Sequence, residues 1–147
     1  MSGMHCLSPI DGSVIFEAPY HDHSALTDAI SMSAEAQRQW QDVPLANRIA
    51  ILQTATDYLF DHRAEIGLEI TNQMGRPVRY TPGELAGLRE RSEAMLALAP
   101  SALEPVRPSP QNGFARWISR EPVGVVAVCY PWNYQCLTTS TSLIPVS

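Results

Sequence analysis

Leu45, Ile49, Leu52 and Leu59 follow one another at intervals of four, three and seven residues. That spacing aligns side chains on one face of an α-helix. Pro44 stands just ahead of them, where its fixed φ and missing N–H suit a first helical turn. Leu26, Ile30 and Trp40, with Ser33 and Gln37 on the same face, predict an earlier helix beginning near Ser24. Asp61 is placed to cap a third helix carrying Ile66 and Ile70; Gly75 stops it and Pro77 prevents its continuation. Thr81-Pro82-Gly83-Glu84 has the form of a capping box with proline at the first helical position. The helix behind it places Leu85, Leu88, Met95 and Ala99 on one face and is expected to end near Pro100. Upstream of all four, Ser8 to Ser13 reads as a turn between two short extended pieces, the second being Val14-Ile15-Phe16.

The pattern changes after residue 100. Pro105, Pro108, Pro110 and Asn112-Gly113 mark an extended, turn-rich linker. Phe114, Arg116, Ile118 and Arg120 then alternate with Ala115, Trp117 and Ser119, which suits a projecting ribbon strand better than a core strand. Val123 to Tyr130 is apolar throughout and flanked by Pro122 and Pro131, as expected of a parallel strand buried on both faces. Pro131-Trp132-Asn133 turns the chain, and another helix is expected to start there. Helices followed by a first parallel strand point to an α/β domain. The domain is expected to be incomplete, because one parallel strand needs a partner and Leu143 to Ser147 is apolar with no stop signal.

Composition narrows the function classes. The 147 residues suit one domain, and an apolar share of 45% predicts a packed core. The net charge is -5 and the ten basic residues are scattered, which argues against nucleic-acid or anionic-membrane partners. No stretch approaches the roughly 18 apolar residues of a membrane span. The opening MSGMHCLSPIDG lacks the basic and apolar regions of a secretory signal. Cys6, Cys129 and Cys136 form no CxxC pair, so a reduced, cytoplasmic protein is expected. His21-Asp22-His23 lacks further ligands at metal spacing and reads as a polar loop, so no metal site is expected. Trp40 is expected in the core, and Trp117 in the core or an interface.

The segment REPVGVVAVCYPWNYQCLTTSTSLIPVS resembles the start of the cofactor domain in the aldehyde dehydrogenase superfamily, with EPVGVV plus PWN as its specific part. SPIDGSV, AEAQRQWQDVPLANRIAIL, NQMGRP and YTPGE agree in order and spacing. The resemblance covers the whole chain. It departs at Gln135, where many relatives have proline, and at Cys136, where they have an aromatic or aliphatic residue.

The resemblance implies helices in 1–112 that belong to the cofactor domain and a strand in 113–120 from a ribbon exchanged between subunits. It further implies, in 121–147, the first strand, PWN loop and opening helix of a Rossmann-like parallel sheet. It implies an NAD(P)-dependent enzyme, a homodimer or homotetramer, that oxidises a small aldehyde to a carboxylic acid through a cysteine thiohemiacetal. Cys129, Tyr130, Pro131 and Trp132 would lie along the cofactor, and the Asn133 amide would help form the oxyanion hole. The family's nucleophilic cysteine, its acidic residue and a G-x-G-x-x-G turn are absent, so these residues alone are expected to be inactive. Cys129 and Cys136 are expected to be structural. Two alternatives stand beside this reading: a non-catalytic chain acting by subunit association, and a CoA-acylating relative. From residue type alone, Asn133 reads first as a helix cap; the PWN context turns that reading toward the oxyanion role, and one residue can serve both.

Overall fold

The computed structural model describes residues 3–147. Gly3–Leu7 (β1) and Val14–Pro19 (β2) pair antiparallel, with a register shift between Cys6 and Leu7. Five helices follow: α1 (His23–Trp40), α2 (Leu45–Asp61), α3 (Arg63–Met74), α4 (Thr81–Ala102) and α5 (Gln135–Val146). None of them is long and apolar enough to cross a membrane.

The core is centred on α4, which packs against α2, α3 and α5. Leu85, Leu88 and Leu96 of α4 are buried together with Leu52 of α2 and Ile70 of α3. Met95 and Ala99, expected on that face, are half-buried; Ser92 and Leu96 take the deeper places. The long helix α1 buries no residue, and Leu26 and Ile30 face outward, contrary to their expected packing role. Trp40 is only half-buried, with its indole N–H donating to the Ser147 carbonyl at 2.7 Å.

α1 begins at His23, near Ser24 as expected, whereas the starts of α3 and α4 differ from expectation. Asp22 caps α1: its carboxylate accepts from the Ala25 amide at 2.8 Å. Those bonds to Ala25 and Ser24 hold the Asp22 carboxyl below its usual range. Asp61 closes α2 instead of capping α3, and the chain passes through His62 between them. At α4 the expected capping box does not form. The Thr81 hydroxyl turns back to the Val78 carbonyl at 3.0 Å, and Glu84 is committed elsewhere. The helix ends at Ala102, near Pro100 as expected, and the Ala102 carbonyl accepts from Arg120 Nε at 3.0 Å. Gly75 ends α3 as expected, with φ of 79° and its amide bonded to the Thr71 carbonyl.

Beyond α4, two isolated antiparallel bridges, Val106 with Ile118 and Gln111 with Phe114, and a hydrogen bond from Arg116 to the Ser109 carbonyl at 2.6 Å tie residues 106–118 together. Trp117 lies exposed on this loose hairpin. The buried parallel strand expected at Val123–Tyr130 is not seen. Residues 121–131 have no regular secondary structure and Val123 is 84% exposed. The reason is direct: a parallel strand exists only when a neighbour pairs with it, and no described residue does.

Candidate functional site

The site forms where the end of the 121–134 stretch meets the α3–α4 connection. Glu84 lies in the first turn of α4, and its side chain is fully shielded from solvent. One carboxylate oxygen, Oε2, accepts from Arg76 Nη1 at 2.8 Å. The other, Oε1, accepts from the backbone amides of Cys136 at 2.8 Å and Leu137 at 3.3 Å. These are the second and third residues of α5, whose amides have no intrahelical partner. Tyr134, the residue preceding α5, offers no side-chain cap. Glu84 therefore supplies from another helix the acceptor that a local Ser or Asp normally provides. Its negative charge also lies at the positive end of the helix dipole.

Arg76 completes the arrangement. Its guanidinium lies over the Tyr134 ring, 4.6 Å from the centroid, while bonded to Glu84. A cavity of about 510 Å³ opens beside these groups, lined by Arg76, Tyr80, Glu84, Gly87, Tyr134 and Leu137 among others. The absence of a side chain at Gly87 allows the close approach of α5, since a Cβ there would lie 2.8 Å from Leu137 Cδ1.

Asn133 is exposed in the turn just before Tyr134 and α5. It does not cap the helix, because Glu84 accepts from the amides that a cap would serve. Nor does it line the cavity, which begins at the next residue. Cys129, Tyr130, Pro131 and Trp132 form the exposed approach to this turn, with the Trp132 indole 71% accessible. Among the described residues, the backbone of 121–133 joins no backbone hydrogen bond. The five residues picked out from the sequence are thus adjacent along one exposed edge. Sequence reasoning missed Arg76, Glu84 and Tyr134; the acidic first turn of α4 was a signal, but one assigned to a local cap.

The cysteines are free. Burial, reinforced by the nearby Glu84 charge, pushes the Cys136 thiol up to about 11. A thiol so protonated is a poor nucleophile at neutral pH. No group of three or more His, Cys, Asp or Glu suited to a metal occurs among the described residues.

Comparison with known proteins agrees with the motifs. The model of the aldehyde dehydrogenase family matches residues 2–146. The 3,6-anhydro-alpha-L-galactose dehydrogenase of Streptomyces coelicolor is 24% identical over 95% of this chain and 28% of its own length. The NADP(+) succinate-semialdehyde dehydrogenase of Deinococcus radiodurans is 29% identical over 87% of this chain and 27% of its own. The crystal structure of an aldehyde dehydrogenase from Brucella melitensis superposes with a TM-score of 0.90 at 28% identity, covering 99% of this chain and 30% of that one. The chain thus spans less than a third of the length of these relatives. With nearly every residue inside the family match, the chain belongs to the aldehyde dehydrogenase family.

Proposed function

We propose that this chain forms part of an NAD(P)-dependent enzyme that oxidises an aldehyde to a carboxylic acid, with Asn133 as an oxyanion-hole donor. The observation carrying the proposal is the family match over residues 2–146. Supporting Asn133 in particular is that its amide is exposed and not engaged as a cap. When a nucleophile adds to an aldehyde, negative charge develops on the former carbonyl oxygen. An amide N–H already aimed at that position stabilises the charge without reorganising.

In the same reading, Cys129 to Trp132 flank the cofactor. Their unpaired backbone groups and the Tyr130 and Trp132 faces fit one wall of a dinucleotide site, though they enclose no cavity alone. NAD or NADP, when bound, accepts the hydride that leaves the aldehyde carbon. Val123–Tyr130 is the segment that would join a parallel sheet once a neighbouring strand is present; its unbroken apolar run supports this. The 113–120 strand would pair across a subunit boundary in a dimer or tetramer.

The test uses the complete protein, NAD(P) and a panel of aldehydes, following NAD(P)H formation and identifying the product. A carboxylic acid is expected; a thioester formed only with CoA would move the assignment to an acylating relative. Asn133→Ala is expected to lower kcat on the order of a hundredfold or more. Unchanged turnover in that variant would remove Asn133 from the oxyanion role.

A further inference from the structure

We infer that Glu84, braced by Arg76, is a positioning residue that fixes the direction in which Asn133 presents its amide. The inference rests on the oxyanion reading of Asn133 and extends it to residues some fifty positions away in the chain.

Asn133 has little local support. Among the described residues, backbone-to-backbone hydrogen bonds do not hold 121–133, and the regular element next to Asn133 is α5, which starts two residues later. That start has no cap of its own. It is held by the Glu84 carboxylate, which accepts from Cys136 and Leu137 at 2.8 and 3.3 Å. Glu84 in turn projects from α4, beside the fully buried Leu85. Arg76 bonds the free carboxylate oxygen and covers Tyr134, the single residue between Asn133 and the helix. The chain of support therefore runs from the packed core, through a buried carboxylate, to the first turn of α5 and to Asn133.

Such support bears on rate. A donor must sit where the oxyanion will form, and a displacement of about 1 Å can slow a reaction about a hundredfold. Glu84 touches neither Asn133 nor the reacting atoms; it acts through the helix it anchors.

A double-mutant cycle in the complete protein tests this. Glu84→Gln keeps the volume and removes the charge. It is expected to lower kcat about tenfold, a partial version of the loss from a misplaced donor, with KM for NAD(P) nearly unchanged. In an Asn133→Ala background the same substitution should add almost nothing, because no donor remains to be positioned. If Glu84→Gln lowers kcat by the same factor in both backgrounds, Glu84 serves only to hold the fold and the inference is overturned. Should Glu84→Gln fail to fold, Arg76→Gln replaces it, since it leaves the bonds from Glu84 to the α5 amides in place. It is expected to show a smaller loss with the same dependence on Asn133, and an undiminished loss in the Asn133→Ala background again overturns the inference. Full activity in Asn133→Ala would instead defeat the oxyanion reading itself, so the two failures are separable.

Discussion

Gly67 of α3 and Thr81 of α4 meet so closely that a Cβ on Gly67 would lie 2.6 Å from the Thr81 hydroxyl oxygen and 3.2 Å from its Cβ. Both residues are buried, and this contact sets how near the two helices approach.

Gly67→Ala is therefore expected to destabilise the protein, although alanine is favoured over glycine inside a helix by about 1 kcal/mol. Overpacking at a buried crossing costs about 1–3 kcal/mol, enough to reverse the propensity gain. Chemical denaturation measures the sign. Adding Thr81→Ala should recover part of the loss, so the two substitutions should be non-additive. An alanine variant as stable as the parent would show that the crossing yields without strain.

Leu85 has no exposed surface and lies at the middle of the core, whereas Leu98 on the same helix is 61% exposed. Leu85→Ala should lower stability by about 2–5 kcal/mol through lost burial and a residual cavity. Leu98→Ala should change it by no more than about 0.5 kcal/mol. Comparable losses at the two positions would mean that α4 presents a different face to its neighbours.

For Cys136, the direction of the shift fixes the pH dependence. Raising a thiol from 9.0 to about 11 keeps it protonated through the neutral range and lowers its thiolate fraction at every pH below that value. Alkylation of Cys136 by iodoacetamide, followed by peptide mass spectrometry, is expected to be slow at neutral pH in the native protein. It should quicken as the pH approaches 11. In denaturant the thiol should react as an ordinary cysteine. Equal native and denatured rates at neutral pH would contradict its burial.

Local patterns in the chain were legible where local physics decided the outcome. Leu52, Ile70, Leu85 and Leu88 announced their helices by spacing, and Gly75 announced an αL stop. Ser92 was not legible as a core residue, because its packing between helices overrides its polarity. Thr81 and Glu84 carry a capping-box spacing, but a carboxylate that can reach two unpaired helix amides and an arginine gains more there than from one local amide. Val123 to Tyr130 has the composition of an interior strand, yet composition does not provide a pairing partner. In the site, PWN drew notice to Asn133, whereas the brace of Arg76, Glu84 and Tyr134 has no repeat or spacing by which a linear pattern could reveal it.

Anchoring α5 from α4 also divides labour along the chain. Positions 133 and 134 are relieved of the helix-capping duty that elsewhere restricts such turns to Ser, Thr, Asp or Asn. The turn can carry whatever side chains its chemistry requires, while a single acidic residue, sheltered from solvent and far off in sequence, keeps the helix start in place.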